Sequence, residues 1–365
     1  MFDHGLLRQL WPIHCKPYED EILSSWLVRI SRAYGTDPRR FCGSVWRHAT
    51  FWSRDIDKGI YGDVLEVLID KTATPLARVL DTTLWGYRGF PAWELSGSGV
   101  SPWVLSIGLH NGRRHRPWLQ YCPYCLQNDD DPYFRRLWRL TFVTVCPQHR
   151  CRLLDRCVAC SAPCNLYQVP SDADAMTRCY RCQFDARRAR APGLDNTAGR
   201  YRLMQFQTLL IEGIHRGRFG LSRTESVLTE EFLTGLRHLG RLLITRKRAQ
   251  ELRKGFCGDM GESYFEPFFP SSQGRAIEVL SVADRFPLML LLGWWLDDWP
   301  DQFIAMCAMA KLTVTDLRRG FPNPPDWYEA AVEQVARGRF AGMKFALYGT
   351  ASAVASPSVK SQLLL

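Results

Sequence analysis

The sequence reads Cys122-Pro-Tyr-Cys125, Cys146-Pro-Gln-His149, Cys157-Val-Ala-Cys160 and Cys179-Tyr-Arg-Cys182 across its middle third. Two ligands separated by two residues fit one tight turn, so both can face the same tetrahedral ion, and two such pairs complete a closed site. The intervals between the pairs are long enough for a ribbon or a hairpin. The spacing therefore predicts two structural zinc ions, one held by the first two pairs and one by the last two.

Disulfides and unrelated core cysteines are the alternatives to metal binding. The opening residues contain neither an apolar secretion-signal core nor a small-residue cleavage site. We therefore expect a protein of a reducing cytoplasm, where disulfides are unusual. Thirteen cysteines minus the seven proposed ligands leaves six, which we expect to be small buried side chains. Two of the six, Cys151 and Cys164, lie close enough to a ligand pair to replace His149 or Cys160, and the sequence leaves that choice open.

The ligand pattern argues against catalysis. A site with four protein ligands has no open position for water or substrate. The acidic run Glu19-Asp20-Glu21 fits the start of a helix, where carboxylates complement the helix dipole, and no Gly-rich phosphate loop is present. We expect no catalytic residue, no small-molecule substrate and no cofactor besides zinc. The rival interpretation, a metal-dependent nucleic-acid enzyme, requires an open metal site or a separate carboxylate cluster.

The composition is that of a globular protein. Hydrophobic residues make up 46% of the 365 residues and charged residues 23%. The longest apolar run, residues 286–296, is interrupted by Pro287 and is only about half as long as the roughly 20 residues that a membrane span needs. We expect this run to form a buried helix and not an anchor.

The positive charge is concentrated around the ligand pairs. The formal net charge is +10, and residues 111–190 contain fourteen arginines and seven acidic residues, a balance of 14 − 7 = +7. Arginines interleaved with aromatic residues are typical of surfaces that contact phosphates and stack on bases. A solvated basic face or an interface for an acidic protein would give the same pattern. The candidate binding residues are Arg113, Arg114, Arg116, Arg135, Arg136 and Arg139, and the stretch continues with Arg178, Arg181, Arg187, Arg188 and Arg190.

Helical periodicity dominates the N-terminal part. Residues 20–35 carry apolar side chains at helical spacing and end at Gly35, after which Asp37 is a predicted cap and Pro38 a predicted first residue of the next helix. A second helix pair is predicted on either side of a break at residues 71–74. Two helices joined by a tight turn are typical of DNA-binding helix-turn-helix proteins, although ordinary helical packing produces the same pattern more often.

The predicted fold is mainly α with small zinc-ribbon β elements. We expect five segments along the chain. They are an N-terminal helix-turn-helix-like domain over residues 1–90, a linker over 91–117, a tandem zinc-finger region over 118–190, a C-terminal helical domain over 200–350 and a frayed tail over 351–365.

Two groups of motifs also carry a family resemblance. The first reads Pro17-Tyr18-Glu19-Asp20-Glu21, Leu23-Ser24-Ser25-Trp26-Leu27, Arg29-Ile30 and Tyr34-Gly35. The second reads Cys122-Pro123-Tyr124-Cys125, then Pro132-Tyr133-Phe134-Arg135-Arg136-Leu137-Trp138-Arg139-Leu140, then Cys146-Pro147-Gln148-His149. In this order the motifs resemble the TniQ/TnsD family of transposition proteins, over about residues 12–182.

The resemblance implies a target-selection factor of DNA transposition that catalyses no reaction. It also implies a DNA-associated protein of the bacterial cytoplasm. Such proteins connect a chosen site to the AAA+ ATPase regulator of the transposon, which is TnsC-like, and this ATPase admits the transposase. Some members dock as homodimers on the RNA-guided surveillance complex of a CRISPR-associated transposon. The alternative is a stand-alone, sequence-specific DNA-binding protein of the TnsD type. The resemblance places the first helix at partner contacts, and we expect Arg29 on its exposed face.

Overall fold

Short helices make up the N-terminal part of the chain, as the periodicity predicts. The structure is a computed structural model that describes residues 10–46, 51–59, 62–87, 100–107, 109–110, 113–114, 118–170, 176–194, 198–220, 226–245 and 276–338. Helix α1 (Leu23–Ala33) has nine of its eleven residues buried. Gly35 follows it with a left-handed φ of 62°, which ends the helix where the sequence predicts.

Helix α2 (Pro38–Trp46) also begins at its predicted residue. The Oδ1 atom of Asp37 accepts hydrogen bonds from the backbone N–H groups of Arg39 and Arg40 at 2.9 and 3.3 Å, so Asp37 caps the helix. The second pair consists of α3 (Gly62–Thr72) and α4 (Leu76–Asp81), which pack against each other across the predicted break. The second helix pair is therefore present where the sequence predicts it.

The middle of the chain contains little regular structure. Isolated β-bridges join neighbouring segments, for example Tyr121 with Leu154 and Val145 with Arg152. Such short pairings cannot hold a region together by backbone hydrogen bonds alone. Its regular elements are β1 (Leu109–His110), which is antiparallel to β2 (Arg113–Arg114), the helix α5 (Pro123–Asn128), and 3-10 turns at Arg136–Arg139 and Ala186–Arg188.

The C-terminal part is helical with one hairpin. Its elements are α6 (Ala198–Arg216), β3 (Arg218–Gly220) paired with β4 (Ser226–Leu228), α7 (Thr229–Thr245), α8 (Val282–Trp295), α9 (Asp301–Met309), α10 (Val314–Arg318) and α11 (Asp326–Ala336). The long apolar run lies in α8, which packs against α6 and has ten buried residues. The buried helix predicted for residues 286–296 is confirmed. Within the described ranges, no helix combines the length and hydropathy needed to span a bilayer.

A buried arginine connects the N-terminal helices to the middle of the chain. The side chain of Arg139 is fully buried and forms ion pairs with Asp55, at 2.7 Å, and with Asp57. Asp57 in turn accepts hydrogen bonds from the backbone N–H of Ser24 at 2.7 Å and from its hydroxyl at 3.0 Å. One guanidinium thus fixes the start of α1. The prediction that Arg139 lies on a binding surface is wrong, because its charge is satisfied inside the core.

Arg29 is also internal. Its side chain is only 8% exposed and donates two hydrogen bonds to Glu21 and one to Asp131, at 2.8–2.9 Å. The guanidinium lies over the ring of Tyr18, 4.2 Å from its centroid. The expectation of an exposed Arg29 is therefore wrong. Glu21 is likewise fully buried, so its role is ion pairing and not complementing the dipole of α1 from the surface.

Residues 103–105 of the predicted linker belong to the core. Trp103 is 1% exposed, and its indole N–H donates to the carbonyl of Leu233 in α7 at 2.9 Å. Further along, Arg285 in α8 is fully buried and donates to the side-chain oxygen of Gln120 at 2.9 Å. Burial lowers the pKa of Arg285 to about 10. Both contacts attach the C-terminal helices to the middle of the chain. Residues 88–99 lie outside the described residues.

Replacing Arg139 by Met tests the buried pairs. The variant leaves Asp55 and Asp57 in the core without a counter-ion, so the free energy of unfolding should fall by about 3–5 kcal/mol. Urea unfolding measures the change. Arg39→Met is the matched control, because the Arg39 side chain is 58% exposed and pairs with Asp37 at 3.5 Å, and it should cost about 0–1 kcal/mol. A loss in Arg139→Met no larger than in the control would contradict this assignment.

Candidate metal centres

The first ligand set combines the start of a helix with a tight turn. Cys122 immediately precedes α5 and Cys125 lies in its first turn, while Cys146 and His149 belong to the turn that follows the bridge at Val145. The Sγ atoms of Cys122, Cys125 and Cys146 lie 3.6, 3.3 and 3.6 Å from His149 Nδ1, and the Cys125 and Cys146 sulfurs are 3.6 Å apart. All four ligand atoms thus converge on one point.

These separations fit a tetrahedral metal ion. With metal–sulfur and metal–nitrogen bonds of about 2.3 and 2.0 Å, tetrahedral geometry places sulfurs about 3.8 Å apart and sulfur about 3.5 Å from nitrogen. The other ring nitrogen of His149 lies 3.1 Å from the side-chain amide of Asn128, which orients the ring. The three cysteines are buried. The set therefore offers four ligands in a closed, partly dry environment.

The second ligand set lies nearer the surface. Its sulfur separations are 3.5 Å between Cys157 and Cys182 and 3.7 Å between Cys160 and Cys179, and all four ligand atoms lie within 4.8 Å of one another. Cys182 is exposed. A backbone hydrogen bond from Phe184 lowers the pKa of Cys182 to about 7, which favours the thiolate that a metal binds. The structure thus brings together both sets of four that the sequence pairs.

Three of the four ligand pairs share one backbone turn. In each, the residue after the second ligand donates its N–H to the carbonyl of the first ligand at 2.9 Å: Arg150 to Cys146, Ser161 to Cys157 and Gln183 to Cys179. These three residues have left-handed φ values of 47–60°. The first ligand's own N–H bonds to the carbonyl five residues later, at 2.8–2.9 Å. We call each of these turns a knuckle. Its own backbone hydrogen bonds hold the two ligands of the pair in place.

The left-handed conformation of these three residues is not evident from their residue types. A positive φ usually selects Gly or Asn, whereas these positions hold Arg150, Ser161 and Gln183. The available signal was the position itself, directly after the second ligand of a pair. Backbone hydrogen bonds and shared ligation of an ion can hold a conformation that the residue type disfavours.

The two spare cysteines lie next to the ligand sets but are not members of them. Cys151 Sγ lies 3.5 Å from Cys122 Sγ, but it is outside the group of four mutually close ligand atoms. Cys164 lies beside Cys157 and Cys179 at a small cavity and is also outside the second group. Burial raises the pKa of the Cys164 thiol. The geometry therefore favours His149 and Cys160 as the ligands.

Five candidate binding arginines remain from the stretch that ends at Arg139. Two of them are covered by other side chains, and the side chains of the other three are outside the described part of the chain. Arg135 pairs with Asp129 at 2.7 Å and its side chain is 13% exposed, and Arg136 is buried beside Tyr87. The prediction that these two form an open basic surface is wrong, because carboxylates and aromatic rings cover them. Arg113 and Arg114 form β2, and their side chains are outside the described part, as is the whole of Arg116.

The fold and the sites define a mainly helical protein with two closed sets of metal ligands. Residues 12–153 match the family model TniQ, so this part of the chain is a TniQ domain. The match supports a role in the selection of transposition targets. The match contains the first ligand set and ends before Cys157, so it does not extend to the second. A search of curated proteins found no match to the chain.

The first site prediction concerns metal content. The folded chain should contain two metal ions, and Cys125→Ser should remove one of them and destabilise the middle region, because structural metal binding contributes to folding. Elemental analysis of purified protein by mass spectrometry measures the ratio. Cys182→Ser serves as the counterpart in the second set and should also remove one ion. One ion or none in a folded wild-type chain would contradict both assignments.

The second site prediction separates Cys151 from His149. Cys151→Ser should retain both metal ions, and its Co²⁺-substituted form should show the absorption of one site with three thiolates and one site with four. His149→Ala, in contrast, should weaken binding in the first set. Loss of one ion from Cys151→Ser, with His149→Ala unaffected, would show that Cys151 is the fourth ligand.

Proposed function

We propose that this protein is an adaptor of DNA transposition that connects a chosen target to the AAA+ ATPase regulator of its transposon. Target choice would come from an RNA-guided surveillance complex or from attachment-site DNA, and a homodimer would present two copies of each surface. The TniQ match over residues 12–153 carries the proposal. Buried ion pairs of Arg139 join the N-terminal helices to the region that carries the first ligand set, which suits a rigid platform.

We also propose that both bound ions are zinc and that they are structural. Sets of three cysteines with one histidine, and of four cysteines, are typical of zinc. Four protein ligands complete a tetrahedral shell and leave no position for a substrate. The ions would stabilise the knuckles, and the function would be the placement of macromolecules without bond chemistry.

Two exposed apolar residues give a candidate contact for the ATPase. Leu76 begins α4 and is 54% exposed, and Trp85 lies in the 3-10 turn that follows α4 and is 47% exposed. Exposed tryptophans contribute disproportionately to protein interfaces. Both residues lie within the TniQ match. We assign them to the partner-binding surface in place of Arg29, whose charge is internal.

Direct DNA reading of the TnsD type is the second candidate. The helix pair α3–α4 is the observation that favours it, because such a pair can place its second helix in a major groove. However, α4 has six residues and only one basic side chain, Arg78. A reading helix normally presents several polar or basic residues to base edges and phosphates. This composition favours the adaptor.

The partner surface can be tested by co-purification. The double variant Leu76→Ala, Trp85→Ala should lose capture of the ATPase that the same transposon encodes, because removing a hot-spot tryptophan costs about 2 kcal/mol or more, roughly a thirtyfold loss of affinity. Affinity measured by biolayer interferometry with ATP-loaded ATPase gives the readout.

Tyr201→Ala is the matched control for this experiment. Tyr201 lies in α6 outside the TniQ match, is 66% exposed and should be dispensable for ATPase capture. Metal content of all variants confirms that they are folded. Equal capture by the wild type and the double variant would show that the ATPase binds elsewhere, and absence of capture by the wild type would contradict the adaptor role.

A further inference from the structure

Exposed arginines lie close in the chain to the second ligand set and to His149 of the first. Between Cys146 and Leu194 the described residues include eight arginines, no lysine and two aspartates. Four of these arginines are exposed and form no ion pair with the described chain. They are Arg150, Arg181, Arg188 and Arg190, and together we call them the arginine surface.

The two aspartates of this stretch are internal. Asp155 is 6% exposed and accepts a hydrogen bond from the backbone N–H of Val282 at 2.7 Å. Asp185 is 4% exposed and accepts from Thr177 at 2.9 Å and from Arg187 at 2.7 Å. The exposed charge of the described residues in this stretch is therefore entirely positive. This arrangement is the reverse of residues 135–139, where carboxylates cover the arginines.

Backbone pairing brings separate parts of the arginine surface close together. Cys151 forms a β-bridge with Gly193, and the N–H of Leu194 donates to the carbonyl of Arg150 at 3.1 Å. Arg190 is only three residues before Gly193, and Arg188 ends the 3-10 turn that packs on α5. Arg150 and Arg190 thus lie on or beside paired segments, and Arg188 lies two residues before Arg190, on a framework that bound metal would make rigid.

The chemistry of the surface favours a nucleic acid over a protein. Arginine binds phosphate in a bidentate manner, and all the exposed cations here are arginines. Protein interfaces usually have an apolar centre, whereas Val158 is the one large apolar side chain exposed in the described part of this stretch. Surfaces that bind nucleic acids are more polar and more positively charged.

We propose that the arginine surface binds the phosphate backbone of a nucleic acid, without reading base sequence. The surface lies largely outside the TniQ match, which ends at residue 153. The inference deepens the proposed function, on which it rests for the presence of DNA or guide RNA in the assembly. It assigns to the second ligand set the task of holding the nucleic acid while the TniQ domain holds the protein partner.

The test compares two triple variants of the full chain with the same net charge. Arg181→Gln, Arg188→Gln, Arg190→Gln removes three charges of the arginine surface. Arg39→Gln, Arg216→Gln, Arg337→Gln removes three charges from side chains that are 58%, 73% and 63% exposed elsewhere. Fluorescence anisotropy with labelled duplex DNA, single-stranded DNA and RNA, from about 50 to 200 mM salt, gives affinity and its salt dependence.

The first variant should bind at least about tenfold more weakly than the wild type, with a duplex salt slope smaller by about 2–3, since each lost phosphate contact removes about 0.9 from the slope. The control should bind like the wild type. Equal losses in both variants, salt-independent binding or no binding by the wild type would overturn the proposal. Capture of a protein partner through these arginines, without nucleic acid, would also overturn it.

Two further measurements keep the result interpretable. If the first variant loses metal, Arg150→Gln provides the same test outside the second knuckles. This variant should also weaken nucleic-acid binding. ATPase capture is measured on the same proteins. Loss of nucleic-acid binding with intact ATPase capture separates this inference from the adaptor proposal, because failure of one leaves the other readout unchanged.

Discussion

The guanidinium of Arg139 is fully buried between Asp55 and Asp57, and the joining of the N-terminal helices to the metal-ligand region depends on this arrangement. An isolated charge in a core is costly, so the three groups are stable only when they meet. Asp57 also holds the first turn of α1 through Ser24. Glu21 and Arg29 form a second buried ion pair a few residues away. The opening motif therefore serves packing between regions, and its residues Glu21 and Arg29 act inside the protein.

The two ligand sets occupy different environments, which suits different tasks. The first set is buried and its cysteines belong to the hydrophobic core, so its ion would complete the platform that the TniQ domain forms. The second set has an exposed ligand in Cys182 and lies in short turns. Metal ligation would stabilise these turns, as it does in small zinc domains. A rigid but peripheral unit is well placed to present arginines to a partner.

Local features were predictable from the sequence, and long-range pairings were not. Ligand pairs, the Asp37 cap and the end of α1 at Gly35 each depend on a few neighbouring residues, so their spacing sufficed. The burial of Arg29 and Arg139 depends on carboxylates 102 and 84 residues away in the chain. A count of charges along the sequence cannot assign such partners. Charge alone therefore predicts binding for arginines throughout residues 113–190, whereas the structure covers those of residues 135–139 and leaves the arginine surface exposed.

X-ray absorption spectroscopy of the metal-loaded protein tests most directly whether two closed ligand sets organise this chain. Seven sulfurs and one nitrogen shared by two ions give 7/2 = 3.5 sulfurs and 1/2 = 0.5 nitrogen per ion, at about 2.3 and 2.0 Å. We expect that average, with no further light-atom shell at bonding distance. An oxygen ligand in the first shell would reveal an open site and contradict the structural assignment. A purely sulfur shell would contradict the role of His149.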